Sequence, residues 1–156
     1  MQSTTNAGMT EINIKNKKAW HDYEIIDKFV AGMQLTGTEI KSIRAGKATL
    51  VDSYCYFNQG ELYVKGMHVT EYDFGSIYNH FPKRDRKLLL THRELRKLEK
   101  TVREKGLTII ALRIFIAKSS YAKLEIALAR GKKEYDKRED LKKKDTQREL
   151  DRVMKH

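Results

Sequence analysis

Two short pairs, His21-Asp22 and Asn79-His80, carry the side chains of this chain best suited to proton transfer. An imidazole next to a carboxylate can serve as a general base, but only with a nucleophile or a metal within reach. Neither pair has one that the sequence identifies, so hydrogen-bonded structural roles or contacts to a partner fit better. The five histidines His21, His68, His80, His92 and His156 are scattered, and the lone Cys55 adds no ligand spacing, so no metal site is expected. Asp52, Asp73 and Asp85 are not spaced like carboxylates that converge on a divalent ion. A Walker phosphate loop and a dinucleotide-binding glycine pattern are also missing. No cofactor is expected, and neither pair argues for catalysis.

Charge is the stronger signal. The 156 residues carry a formal net charge of +11, and from Lys83 to Lys105 ten Lys or Arg face four Asp or Glu. Such an excess points to a polyanionic partner: RNA, DNA or an anionic membrane. The membrane is the weakest of these, because no apolar run approaches the roughly 20 residues that span a bilayer and no signal peptide opens the chain. A cytoplasmic protein is expected, and a single cysteine is compatible with a reducing compartment. A second basic cluster, Gly131 to Arg138, holds Tyr135 among its charges, a combination that suits phosphates and a stacked base.

The elements that must position these residues follow from periodicity. Residues 1–10 are polar and aperiodic, which predicts a disordered arm. Asn16 to Tyr23 reads as the solvated start of a first strand that runs to Val30, with a bend or bulge allowed at Ala31-Gly32. Thr36 and Glu39 stand at capping-box spacing and Gly46 follows, so a short helix is expected over 38–45, with Ile40 and Ile43 inside and Glu39, Lys41, Ser42 and Arg44 outside. Ser53–Phe57 and Glu61–Val69 flank Asn58-Gln59-Gly60 as a hairpin, and Cys55 between Tyr54 and Tyr56-Phe57 reads as a packed strand position. Asp73–Lys87, with the only proline, Pro82, reads as an exposed loop. A second capping box, Thr91 to Glu94, opens a helix that Gly106 closes. Leu107–Ala117 and Tyr121–Arg130 form the clearest hairpin, with Ile110, Leu112, Ile114 and Ile116 along one face of the first strand, and Leu124 and Ile126 opposite Lys123 and Glu125 on the second. The expected fold is mainly β: a small closed OB-fold-like antiparallel barrel over 11–130 with two or three flanking helices. Residues 131–156, with ten Lys or Arg and seven Asp or Glu, form a basic tail, disordered when free and helical once bound.

Several spaced motifs occur in one order: Asn16-Lys17-Lys18-Ala19, His21-Asp22-Tyr23, Gly37 to Ser42 followed by Arg44, Asp52-Ser53-Tyr54, Asn79-His80, Arg84, Arg86 to Leu90, Gly131-Lys132-Lys133 and Asp136-Lys137-Arg138. In these the chain resembles the SmpB family, the SsrA-binding proteins that partner transfer-messenger RNA. The resemblance implies an oligonucleotide-binding-type barrel that grips the tRNA-like end of that RNA, a tail that works inside the ribosome at small-subunit RNA, and rescue of stalled ribosomes without catalysis. A monomer is expected. The implied RNA-binding residues are Asn16, Lys17, Lys18, His21, Glu39, Lys41, Arg44, Asn79, His80, Arg84, Arg86, Lys87, Leu89, Lys123, Lys132 and Lys133. The implied ribosome-directed positions are Tyr135, Asp136, Lys137, Arg138, Val153, Met154 and Lys155. The chain departs from the family's common residues at Val30, Thr49 and Ala127, where Glu, Asn and Gly are frequent.

Two other classes remain open on the residues alone: a metal-dependent RNA-processing enzyme and a ribosomal structural protein. If the charge is the footprint of an RNA, binding falls steeply with salt, each neutralised phosphate adding roughly 0.7 to 0.9 to the log–log slope. A titration series across salt concentrations checks this, and a nearly flat dependence contradicts it.

Overall fold

The computed structural model describes residues 12–74, 79–118 and 121–132. The expected arm over 1–10 and the tail from Lys133 onward lie outside them. In chain order the elements are β1 (Asn13–Lys15), α1 (Lys17–Asp22), β2 (Tyr23–Met33), α2 (Gly37–Arg44), β3 (Ala48–Thr49) and β4 (Tyr54–Asn58). They continue as β5 (Glu61–Lys65), β6 (His68–Val69), β7 (Arg86–Leu89), α3 (His92–Lys105), β8 (Thr108–Ile116) and β9 (Ala122–Gly131). The described residues are therefore mainly β with three helices. One antiparallel sheet has the order β1-β8-β4-β5-β7-β2-β9, and β9 also pairs with β8; a small ribbon joins β3 to β6.

Alternation and capping chemistry account for most of this. Both capping boxes form: Thr36 and Thr91 accept from the amides of Glu39 and Glu94, whose carboxylates accept from the threonine amides in return. Leu95 and Leu98 are the buried residues of α3, and Val102 packs against the same core. The β4–β5 hairpin turns at Gln59 and Gly60, both with positive φ (52° and 78°), the backbone of a tight two-residue hairpin turn.

Several expectations are corrected. Residues 16–23 begin with a helix, α1, because Asn16 serves three purposes at once. Its side-chain oxygen caps Ala19 N, and its Nδ2 donates to Leu50 O (3.1 Å) and Ala111 O (2.9 Å). The bulge in β2 lies between Ile25 and Asp27, whereas Gly32 pairs regularly with Leu89 on one side and Lys123 on the other. The segment 61–69 is two strands, since the chain breaks at Gly66 and resumes as β6 against β3. Glu39 and Ser42, expected outside, are buried. Within 73–87, His80 and Arg86 are buried and Arg86-Lys87 begin β7.

Strand β8 changes sides. A register shift between Ala111 and Arg113 divides it, so Ile110 and Leu112 face a small cluster with Ala19, Ala127 and Ala129, while Ile114 and Ile116 join the main core. Leu124, Ile126 and Leu128 of β9 keep to the main core as their alternation implies. Asn16 sits at that register shift, its own amide bonded to Leu112 O at 2.8 Å. Asn16→Ala removes the α1 cap and the side-chain donor of the buried Ala111 carbonyl, while Leu50 O keeps the Ser53 amide and hydroxyl; the lost donor costs about 1–3 kcal/mol, so a clear drop in melting temperature is expected. Calorimetry of the variant checks it.

Candidate nucleic-acid interface

Charged residues of the family-implied set divide by what claims them. Glu39 has no exposed surface, yet its carboxylate is fully answered. Arg84 donates from Nη2 to Oε1 (2.6 Å) and from Nε to Oε2 (3.1 Å), Arg86 Nε donates to Oε2 (2.5 Å), and the Thr36 amide donates to Oε1 (2.8 Å). Arg86, also fully buried, spends its remaining donors on the carbonyls of Met67 (2.8 Å), Arg84 (2.9 Å) and Pro82 (3.0 Å). Burial alone would raise the Glu39 pKa, but the hydrogen bonds from Arg84 and Thr36 and the charge of Arg86 outweigh it and hold the carboxyl below its ordinary value.

His80 and Asn79 are similarly occupied. The Val69 carbonyl can only accept, so the 2.9 Å contact from His80 Nε2 assigns the proton to that nitrogen; Nδ1 then accepts from the Thr38 hydroxyl at 2.9 Å. Asn79 brackets the backbone of Tyr72, accepting from its amide (3.1 Å) and donating to its carbonyl (2.7 Å). Asn16, Glu39, His80 and Arg86 are thus buried, with their polar groups bonded within the protein.

The remaining residues look outward. Ala31 and Met33 of β2 enter the core, so Lys28, Val30 and Gly32 alternate onto the outer face, beside Leu89 of β7 and Lys123 of β9. Val30 and Leu89 are about half exposed (50% and 48%). Lys28 lies over the Trp20 ring of α1 at 4.7 Å, which links this strip to the helix carrying Lys17, Lys18 and His21. His21 Nδ1 contacts Asp22 at 2.9 Å, and the Lys132 amide donates to Asp22 O at 2.9 Å, so β9 ends beside α1. At the strip's other end Gly32, Leu89, Lys123 and Arg44 line a cleft of about 660 Å³. Some cations here are engaged: Lys18 by Asp52 (2.9 Å), Lys87 by Glu61 (3.2 Å), and Lys41 over the Tyr72 ring (5.2 Å). Among the described residues no ion pair or side-chain hydrogen bond claims the ammonium of Lys17 or Lys123.

Lys133 and the tail positions Tyr135, Asp136, Lys137, Arg138, Val153, Met154 and Lys155 lie outside the described residues. Gly32, Trp20 and Lys28 were not in the implied set. A glycine inside a strand was the available signal for the first, and it reads equally well as a bend. Asp52, Asp73 and Asp85 take separate partners, Lys18, Lys47 and Tyr56. Among the described residues no group of three or more His, Cys, Asp or Glu is arranged to hold a metal ion.

Fold and surface together define a small antiparallel β protein that buries its ion-pair network and presents cations on one outward strip. The chain belongs to the SmpB family: the family model described as SmpB protein matches residues 13–156. An SsrA-binding protein of Phocaeicola vulgatus is 62% identical over 146 residues, covering 94% of this chain and 97% of its own. One from Bacteroides thetaiotaomicron is 55% identical, covering 92% and 96%. A solved structure presented as "tmRNA-SmpB: a journey to the center of the bacterial ribosome" is 46% identical, with a TM-score of 0.66 over 79% of this chain and 86% of that one.

Glu39→Gln leaves two arginines without their counter-charge and is expected to cost about 3–5 kcal/mol at neutral pH. Because the folded carboxyl sits below its ordinary value, its stabilisation is present above the unfolded value near 4.5 and is lost as pH falls through the folded one. The gap between the original chain and Glu39→Gln should be constant near neutrality and close in acid, as denaturant unfolding across pH would show.

Proposed function

We propose that this chain is a noncatalytic RNA-binding translation factor that binds the tRNA-like end of transfer-messenger RNA and enables rescue of stalled ribosomes by trans-translation. The observation that carries the reading is the unclaimed Lys123 ammonium beside Leu89 and Gly32, on a chain of charge +11 in a family whose relatives are named SsrA-binding proteins. The pairings β8–β4–β5–β7–β2–β9 and back to β8 support a closed OB-fold-like barrel, whose outward strand faces suit a folded RNA.

The implied RNA-binding set then divides by role. Lys17, Lys18, His21, Lys41, Arg44, Leu89, Lys123 and Lys132 meet the RNA, with Lys87 at the edge. Asn16, Glu39, Asn79, His80, Arg84 and Arg86 hold the surface in shape. Lys133 meets the RNA beside Lys132, and Tyr135, Asp136, Lys137, Arg138, Val153, Met154 and Lys155 serve the ribosome and its small-subunit RNA, in the cytoplasm and with the protein as a monomer.

Capture from a bacterial lysate followed by RNA sequencing tests this: one dominant transfer-messenger RNA supports the reading, and ribosomal RNA alone or a range of cleaved substrates overturns it. Lys123→Ala is expected to weaken binding of the tRNA-like fragment with the melting temperature unchanged. Truncation after Arg138 is expected to leave that binding nearly intact and abolish tagging of stalled products. Tagging by the truncated chain would undo the division of labour.

A further inference from the structure

Of the ten Lys or Arg between Lys83 and Lys105, six lie on α3: Arg93, Arg96, Lys97, Lys100, Arg103 and Lys105. The helix buries Leu95 and Leu98 and packs Val102 on the main core, so it covers the inner side of the sheet, whereas the strip lies on the outer side of β2. Lys97 accordingly reaches Phe29, which packs inward from β2, at 5.9 Å from the ring. Arg93, Arg96, Lys97 and Lys100 stand at i, i+3, i+4 and i+7, the spacing of one helix face, and all four are exposed. The row spans about 10 Å of helix.

Stability does not account for that row. Its neighbours three and four residues apart are Arg93 with Arg96, Arg93 with Lys97, Arg96 with Lys100 and Lys97 with Lys100, all like-charged, and such pairs destabilise a helix. Arg93 also stands in the first turn, where the helix dipole disfavours a cation. The acids that could offset the row are placed elsewhere: Glu94 closes the capping box, Glu99 meets Arg103 at 3.9 Å, and Glu104 stands a turn beyond the end. Among the described residues no ion pair or side-chain hydrogen bond claims Arg93, Arg96 or Lys100.

Unclaimed cations kept in a row against local stability are complementary to a row of phosphates. A single strand is held by stacking as well as by charge, yet α3 contains no Phe, Tyr or Trp, and the neighbouring Phe29 ring is already covered by Lys97. An anionic membrane would need apolar side chains on the same face, and the row has none. A duplex needs neither, because it is recognised by its shape and its backbone.

We propose that Arg93, Arg96 and Lys100 of α3 dock on the phosphate backbone of a double-stranded RNA segment, separately from the RNA on the outward strip. The choice of RNA rests on the functional reading above; the docking row goes beyond it. The test adds a labelled RNA duplex of arbitrary sequence, across a salt series, to the full chain in a one-to-one complex with the tRNA-like RNA fragment. The original complex should take up the duplex. Arg93→Gln/Arg96→Gln/Lys100→Gln should lower the log–log salt slope of that uptake by about three, one for each lost phosphate contact. Its melting temperature should be equal or higher, and its affinity for the fragment unchanged. If the triple variant melts lower, Arg96→Gln and Lys100→Gln decide singly, each expected to take about one from the slope. An unchanged slope in these variants, an equal loss toward a single strand of the same length, or binding of anionic vesicles in place of the duplex overturns the docking row. Failure of the original chain to bind the fragment overturns the functional reading instead, and uptake of the duplex by the free chain and its variants then decides on the row.

Discussion

Removing the Glu39 carboxylate from water costs several kcal/mol unless opposite charge and donors surround it, and the fold supplies them from distant segments. Arg84 and Arg86 come from the approach to β7 and from its first residue, and the Thr36 amide comes from the cap of α2. Arg86 then gathers the carbonyls of Met67, Pro82 and Arg84, so one buried charge fixes helix, strand and crossing loop relative to one another. A partial version of this arrangement is costly, because a half-satisfied buried network is worse than an apolar one. The position of Leu89, three residues beyond Arg86 on β7, is inherited from it.

A consequence is that positive charge is sorted by depth. Arg86 and the half-buried Arg84, whose planar forks can satisfy several acceptors at once, serve the interior network. Lysines on β2, β9 and α1 remain outside, where Lys18 and Lys28 are engaged by Asp52 and Trp20 and, among the described residues, no ion pair claims Lys17 or Lys123. The two populations cannot be told apart by counting charges, and the net charge of +11 includes both.

What could be read from the chain was whatever depended on near neighbours. The capping boxes at Thr36 and Thr91, the hairpin at Gln59-Gly60 and the alternation of β9 are local, and each appears where the residues place it. Features set by partners far along the chain were hidden. Glu39 looked like a surface acid because its arginines lie 45 and 47 residues away. Asn16 looked like the start of a strand because its role depends on Ala111, 95 residues on, and α1 buries only Ala19, too little for a helical stripe. The alternation of Ile110 to Ile116 was real but was cut by a register shift that no residue type announces. The same limit applies to the proposed site: Lys123 and Leu89 come from family resemblance, whereas the sorting of inward from outward cations needed the packing.

The Lys132 amide bonded to Asp22 O roots the rest of the chain at a fixed point beside α1. Each residue that follows it extends its reach by at most about 3.6 Å, or by about 1.5 Å in a helix. Under the proposed function, an RNA on the outward strip and a second target for those residues are then tethered ligands. The second encounter occurs at an effective concentration governed by the distance from this root, and not by how much protein is in solution. Moving the root by loosening that one amide would change the geometry of delivery while leaving every contact at either end unaltered.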